Sequence, residues 1–311
     1  MFRLLVLIPV YVLACTTTVA QTYDVLIAKG DSAYQAKSYE VSARYYGQAF
    51  RQRKNNATHL YNGACSAALS GHTTEAFQYL NAAIDNGWLN INHLKSDTDL
   101  KSLYTNAQWN KTVAKLQKKV DETESHYNKP LQQELLKILE EDQAQRSVFM
   151  QLINTHGYKN PKVDSVSKII HRIDSINQIK VIAILDKYGW VGKDKIGSSA
   201  NEALFLVIQH SNIAVQQKYL PMMRDAVKKG NAEARSLALL EDRVALRTGG
   251  KQIYGSQIGL NEETGKYYIS PLQDPDNVDK RRASMGLPPL ADYAQSWGIV
   301  WNVEEYKKSA K

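Results

Sequence analysis

Residues 131–155 read LQQELLKILEEDQAQRSVFMQLINT, and this stretch, which follows Pro130, has the periodicity of an α-helix. At roughly 100° per residue, its apolar side chains fall on one stripe. They are Leu135, Ile138, Leu139, Phe149 and Ile153. Asp142 and Arg146 lie inside the same stripe. Charges on an apolar face need partners, and these two are one helical turn apart, so they are able to pair with each other.

The pattern downstream stays helical for about another hundred residues. Further helices are predicted over about 163–188, 199–217, 221–230 and 232–247. His210 lies in the middle of the apolar face of the 199–217 helix. In the 232–247 helix, Glu241 lies within the apolar stripe and Asp242 lies on its flank.

After the last of these helices the pattern changes to that of strands. The segments KQIYGSQI and KYYISPL flank a polar turn, which predicts a β-hairpin at about 251–271. Gly255, inside the first segment, predicts a bulge that would turn Gln257 toward the face of the other polar side chains. Those side chains are Gln252 and Tyr254. A helical domain with this hairpin is therefore predicted for residues 128–311.

The N-terminal part of the chain carries an internal repeat. Residues 24–50 and 58–84 share one pattern of small and larger side chains at a constant offset of 34. The matched pairs are Gly30 with Ala64, Ala33 with Ala67, Ser42 with Ala76, Tyr46 with Leu80 and Ala49 with Ala83. This period resembles the tetratricopeptide repeat, a stacked helical hairpin. With a degenerate third unit, the predicted array covers 22–125, and the resemblance implies a groove that binds a protein or peptide partner.

The first twenty residues have the features of a signal peptide. The apolar run LLVLIPVYVLA at 4–14 follows Arg3 and is too short to cross a bilayer as a helix. Cleavage is predicted after Thr18-Val19-Ala20, so that the mature chain begins at Gln21 and is periplasmic or secreted. A competing interpretation makes Cys15 the acylated residue of a lipoprotein. No later segment is apolar enough to predict a transmembrane span in the mature chain.

The composition excludes several classes of protein. With 43% hydrophobic and 23% charged residues among 311, the chain is expected to fold and to be soluble after cleavage. Its formal charge is +8, but the longest basic run is the three residues Lys280-Arg281-Arg282, so no nucleic-acid partner is expected. Two cysteines exclude a disulfide framework and a cysteine-based zinc site. Cys65 is expected to be buried inside a helix pair.

Several polar side chains are forced onto apolar helix faces. They are Asp142, Arg146, His210 and Glu241, with Asp242 beside the last of them. A histidine near a carboxylate, with Gln and Tyr donors from a hairpin, suits general acid–base catalysis, because imidazole titrates near neutrality and a carboxylate can fix its tautomer. The same residues suit a buried hydrogen-bond network equally well.

Other chemistries have no signature in this sequence. The seven histidines are scattered, with no HExxH motif and no pair four residues apart on one helix, so no metal site is predicted. There is no GxSxG nucleophile elbow, and no cofactor is predicted. Asp142, Glu241 and Asp242 could supply a glycosidase-like carboxylate pair, but sequence spacing does not give their separation.

Four motifs follow one another in the second domain. They are Glu141-Asp142-Gln143 with Arg146, Gln209-His210, Leu240-Glu241-Asp242-Arg243-Val244, and Gln252-Ile253-Tyr254-Gly255-Ser256-Gln257. In this order they resemble an uncharacterised bacterial family, domain of unknown function 6624, over about residues 130–295. Ser256 stands where the family usually has Thr, which keeps the hydroxyl group. The resemblance implies no activity.

What the resemblance does imply is one constellation of side chains. It comprises Asp142, Arg146, His210, Asp242, Arg243, Gln252, Tyr254 and Gln257. The helical wheel alone favours Glu241 over Asp242 as the buried carboxylate, and the resemblance reverses that preference.

The predicted fold is mainly α, with a short tetratricopeptide-like helical array followed by an α-helical domain with a C-terminal β-hairpin. Whether the protein is an enzyme stays open between two hypotheses. The favoured one is a binding protein that holds a partner or ligand in the repeat groove. The alternative is an envelope-associated hydrolase or transferase in which His210 is the acid and base, oriented by Asp142 or Asp242. In this second hypothesis the ligand-binding residues are Arg146, Arg243, Gln252, Tyr254 and Gln257.

Overall fold

The computed structural model describes residues 22–158, 160–261 and 264–309. Its elements confirm the prediction of a mainly α fold with a small C-terminal hairpin. The chain divides into two compact units between Thr123 and Glu124. The predicted signal peptide, with Cys15, lies outside the described residues. Among the helices in the described part of the chain, none is both long enough and apolar enough to cross a membrane.

The first unit is built from helical hairpins. Its elements are α1 (Tyr23–Gln35), α2 (Tyr39–Gln52), α3 (Ala57–Leu69), α4 (Thr73–Asp85), α5 (Ile91–Ser96), a 3-10 helix (Thr98–Leu103) and α6 (Ala107–Glu124). α1 packs on α2, α2 on α3, and α3 on α4. Small residues permit this close packing, since a Cβ atom on Gly63 would lie 2.5 Å from a ring carbon of Phe50. The buried Ser42 hydroxyl also donates a hydrogen bond to the Gly30 carbonyl at 2.8 Å.

The 34-residue pattern of small side chains corresponds to these two hairpins and ends after α4. α5 has six residues and is followed by a 3-10 helix, so the predicted third unit does not form a further full-length hairpin. Cys65 is buried within the core of this unit, at 5% exposure, as its place in the helix pair predicts.

The second unit begins with a long helical hairpin. Its helices are α7 (Lys129–His156), α8 (Pro161–Tyr188), α9 (Lys193–Ile196), α10 (Ser198–His210), α11 (Ile213–Lys228) and α12 (Ala234–Arg247). Asn128 caps α7 by accepting a hydrogen bond from the Leu131 amide. Pro130 lies in the first turn of α7, where its missing amide proton costs no helical hydrogen bond. α10 packs against both α7 and α8, and α11 packs against α12. The buried apolar stripe of α7, with Leu135 and Ile138, faces this core.

Helix α10 ends at His210, whereas the sequence pattern predicted a helix continuing to Gln217. The reason is a new helix start, because the Asn212 side chain accepts from the Val215 amide at 3.1 Å and caps α11. Pro221, predicted to begin a helix, lies inside α11 instead. A proline removes only one backbone donor, and the buried apolar face of α11 holds the helix together. His210 therefore lies at the end of a helix and not in the middle of one.

The C-terminal strands are shorter than predicted. β1 (Ile258–Leu260) pairs antiparallel with β2 (Tyr267–Ile269). Residues 252–257, expected to be strand, form a loop whose one ladder contact is a bridge between Gln252 and Leu272. Gly255 has a φ of +71°, so it provides the turn of this loop and not a bulge in a strand. A second 3-10 helix (Pro275–Asn277) and helices α13 (Val278–Ser284), α14 (Leu290–Gln295) and α15 (Val303–Ser309) follow.

Candidate functional site

The polar side chains on the apolar stripe of α7 meet the end of α10. Oδ1 of Asp142 lies 3.0 Å from Nδ1 of His210. Arg146 donates from Nε to Oδ2 of Asp142 at 3.3 Å, and Gln143 donates from Nε2 to the same oxygen at 2.7 Å. The Asp142 side chain is 1% exposed, whereas those of His210 and Arg146 are 18% and 24% exposed. A buried carboxylate therefore orients two groups that reach the surface.

A second carboxylate, on α8, completes this arrangement. Arg146 donates from Nη2 to Oδ1 of Asp174 at 2.5 Å, so its guanidinium bridges two acidic side chains. Asp174 was not among the predicted residues. It lies four positions after the buried Ile170 and three before the buried Asn177, which places it on the packed side of α8. We call Asp142, Arg146, Asp174 and His210 the acid–base cluster.

The protonation of the cluster follows from its contacts. Burial pushes the pKa of Asp142 upward, but the hydrogen bond and charge of His210, together with Arg146, outweigh burial and hold that pKa below its ordinary range. An ionised carboxylate only accepts hydrogen bonds, so Nδ1 of His210 carries the proton. Nε2 of His210 has no hydrogen-bond partner among the described residues. It is not one of the buried polar atoms that lack a partner there, so it is accessible to solvent. It is therefore available to water or to a ligand.

The cluster also has residue types that bind metals. One ligand atom from each of Asp142, Asp174 and His210 lies within 4.8 Å of the others. Arg146, however, donates to both carboxylates, so its guanidinium already supplies the positive charge that a divalent cation would bring. These contacts suit an arginine-bridged acid–base pair better than a metal centre.

Asp242 has a different set of partners and makes no contact with His210 in the described residues. Its fully buried carboxylate accepts from the backbone amides of Ile253 at 2.6 Å, Tyr254 at 2.9 Å and Ser256 at 2.9 Å. Burial raises the pKa of Asp242, and the three amides oppose that rise. Asp242 thus fixes the path of residues 252–257, which we call the anchored loop.

The anchored loop is joined to the end of α10 through Arg243. Gln252 closes the loop by accepting from the Gln257 amide at 2.8 Å. The side-chain oxygen of Gln257 accepts from Nε of Arg243 at 3.1 Å. Arg243 then donates from Nη1 to the Gln209 carbonyl at 2.9 Å. Arg243 therefore contacts the residue that precedes His210 in the chain, and Gln257 contacts Arg243. Gln252 has contacts within the loop itself.

Tyr254 makes a third set of contacts. Its hydroxyl donates to Glu241 at 3.1 Å, and Glu241 also accepts from Arg224 at 2.7 Å. Burial, with the charge and hydrogen bond of Glu241, raises the pKa of Tyr254 to about 12. No described contact joins this group to His210. The predicted constellation is thus divided: Asp142, Arg146 and His210 meet directly, Arg243 and Gln257 adjoin them, and Asp242, Gln252 and Tyr254 shape the loop.

The first unit contains a separate polar cavity of about 480 Å³ that the sequence did not predict. Three tyrosine hydroxyls in its wall donate to three carboxylates, in the pairs Tyr34 with Asp99, Tyr46 with Asp31 and Tyr61 with Asp97. Cys65 also lines this cavity, and burial, reinforced by Asp97, raises the pKa of its thiol. The thiol therefore stays protonated and unreactive. No sequence signal marks the cavity, because its residues come from separate elements.

Comparison with known proteins assigns both units. A family model described as "Family of unknown function (DUF6624)" matches residues 129–301. A second, described as "A/B hydrolase-like, N-terminal domain", matches residues 22–124. No curated protein and no solved structure matches the chain.

The second of these matches overturns one prediction. Residues 22–124 match the model of an A/B hydrolase-like N-terminal domain, so their assignment as a tetratricopeptide-like array is wrong. The 34-residue spacing misled because close packing of any two similar helical hairpins requires small residues at matching positions. The spacing predicted the helical hairpins correctly, but it predicted the wrong family for them.

The anchoring role of Asp242 predicts a pattern of amide exposure. Asp242→Ala should destabilise the second unit by about 1–3 kcal/mol for each amide left unpaired, and hydrogen exchange should accelerate at Ile253, Tyr254 and Ser256. Asp242→Asn should expose chiefly Ser256, because the amide nitrogen of Asn cannot accept its hydrogen bond.

The matched control is Asp225→Ala, which removes an exposed carboxylate paired only with Lys229 and should change stability by less than about 0.5 kcal/mol. Unchanged exchange at all three amides in Asp242→Ala would show that the loop does not depend on this carboxylate.

Proposed function

The chain belongs to the family of unknown function DUF6624, and we propose that its C-terminal domain is an acid–base enzyme, a hydrolase or a transferase, in which His210 moves the proton. One observation carries this proposal. Asp142 Oδ1 lies 3.0 Å from Nδ1 of His210, and Asp142 is buried while the imidazole is partly exposed. The second ring nitrogen is not closed off from solvent, so a substrate can reach it.

The proposed mechanism uses the two ring nitrogens differently. Nε2 accepts a proton from water, or from a hydroxyl group of the acceptor, as its oxygen attacks the substrate. The same nitrogen then returns the proton to the leaving group, so the imidazole ends as it began. Asp142 holds the Nδ1–H tautomer and stabilises the imidazolium that forms between these steps. Arg146 keeps Asp142 ionised and fixes its orientation.

The position of His210 at the end of α10 supports this mechanism. The Ser211 hydroxyl donates to the Val207 carbonyl at 2.7 Å, and Arg247 donates to the Ser211 carbonyl at 3.0 Å. The backbone on the C-terminal side of His210 is therefore held by side chains as well as by the helix. A fixed backbone and an oriented ring are what proton transfer requires, because the distance to the substrate must vary little.

Removal of either member of the pair should abolish turnover while leaving the domain folded. His210→Gln and Asp142→Asn should each lower kcat by roughly 10²–10⁴-fold, since the first loses the proton acceptor and the second loses control of the tautomer. The measurement is release of p-nitrophenol from a panel comprising its acetate ester, phosphate monoester, phosphate diester and glycosides.

The matched control is His171→Gln, which replaces an exposed histidine of α8 and should leave kcat unchanged. Thermal unfolding separates the two roles of the pair. Variants that unfold at the same temperature as the parent but turn over none of its substrates indicate a catalytic site. Variants that lose more than about 3 kcal/mol of stability, or a parent with no turnover of any substrate, contradict the proposal.

We also propose that the protein is exported and acts in the bacterial envelope, on the basis of the signal peptide predicted from the sequence. Expression of the full chain in a bacterial host, followed by N-terminal sequencing, should yield a chain that begins at Gln21. Cys15→Ser should leave that N-terminus unchanged. Retention of Met1 would contradict export. A chain that begins at an acylated Cys15 would show lipid attachment at Cys15 in place of cleavage after Ala20. Binding of a protein or peptide by the N-terminal domain stays a prediction.

A further inference from the structure

Arg243 is a partly buried cation that forms no ion pair with any acidic residue among residues 22–158, 160–261 and 264–309. Its described hydrogen bonds go to neutral oxygens, from Nε to Gln257 and from Nη1 to the Gln209 carbonyl. Burial, together with the like charges of Arg247 and Arg146, lowers the pKa of Arg243 to about 10. Three guanidinium groups are therefore crowded together at the end of α10. Only Arg146 among them has carboxylate partners in the described part of the chain.

Three nitrogen atoms on these side chains have no hydrogen-bond partner within the part of the chain that the structure describes. Across the described residues, no hydrogen bond is made by Nε2 of His210, Nη1 of Arg146 or Nη2 of Arg243, and none of the three is closed off from solvent. These donors are therefore available to an anionic ligand, which would form charge-assisted hydrogen bonds with the two guanidinium groups.

The three groups are linked through shared contacts. His210 and Arg146 share the carboxylate of Asp142, and Arg243 holds the carbonyl of Gln209, the neighbour of His210. They lie on three different helices, α10, α7 and α12. A ligand that accepts from all three must present more than one oxygen atom.

We propose that the acid–base cluster recognises its substrate through a phosphoryl group held between Arg146 and Arg243, with His210 facing the reacting oxygen. This inference rests on the proposed function and names its substrate class. A tetrahedral phosphoryl group offers oxygens toward three directions and two negative charges, whereas a carboxylate offers two oxygens in one plane. Arginine suits such oxygens because its donors are arranged as a rigid fork.

The reaction at this site is displacement at phosphorus. The oxygen of water, or of an acceptor hydroxyl, forms a bond to phosphorus while the bond from phosphorus to the leaving oxygen breaks. Nε2 of His210 takes the proton of the attacking oxygen and delivers a proton to the leaving oxygen, so charge and atoms balance without a further reactant. The two arginines neutralise the charge that gathers on the remaining phosphoryl oxygens.

Calorimetric titration of the full chain with inorganic phosphate tests this substrate class independently of turnover. Arg243→Gln should weaken phosphate binding at least tenfold, because it removes a charge-assisted contact. Arg243→Lys should give an intermediate loss, since lysine keeps the charge but not the fork. Arg235→Gln, an exposed position on the same helix, is the matched control and should bind phosphate like the parent.

The outcomes separate this inference from the proposed function. Phosphate binding that requires Arg243, together with release of p-nitrophenol from phosphate esters that requires His210, supports both. Turnover of carboxyl esters or glycosides that requires His210, without phosphate binding, supports the acid–base enzyme and overturns the phosphoryl site. Phosphate bound equally by Arg243→Gln, or acetate bound as tightly as phosphate, also overturns it. Arg243-dependent phosphate binding without any turnover supports the phosphoryl site and contradicts the enzyme.

Discussion

The carboxylate of Asp142 is the contact on which the second unit's polar architecture depends. It accepts from His210, Arg146 and Gln143 while being removed from water, so three donors compensate one buried charge. Arg146 extends the contact to Asp174, which ties α8 to α7, and His210 ties α10 to α7. Two of the donors come from α7 itself and the third is the imidazole, so the same interaction that joins α10 to α7 also fixes the ring.

The two buried carboxylates of this unit have opposite electrostatic environments and correspondingly different uses. Cationic partners outweigh burial at Asp142 and lower its pKa, whereas burial dominates at Asp242 and raises its pKa. Asp142 is therefore the partner suited to stabilise an imidazolium. Asp242 accepts from three backbone amides, and its contribution is to set the conformation of the anchored loop. Arg243 connects the two regions by holding both Gln257 and the end of α10.

Hydrophobic periodicity predicted the helices and the charges on their apolar faces, because a buried helix face requires apolar residues at regular intervals along the sequence. It predicted Asp142 and Arg146 together, and it missed Asp174, whose role depends on a partner from another helix. The end of α10 was missed because the cap at Asn212 is a local hydrogen bond that an apolar pattern does not record. Asp242 could be singled out only through family resemblance, and its amide partners required the folded loop. Repeat spacing identified helical hairpins in the first unit but could not identify their family.

The tautomer of His210 tests the central arrangement most directly. Long-range proton–nitrogen NMR correlations, recorded at a pH where the ring is neutral, report which ring nitrogen carries the proton. The contact with Asp142 predicts a protonated Nδ1 and a bare Nε2 at His210, while the exposed His171 should show an average of both tautomers. A proton found on Nε2 of His210, or averaging like that of His171, would contradict the assignment of Asp142 as the group that prepares this histidine for proton transfer.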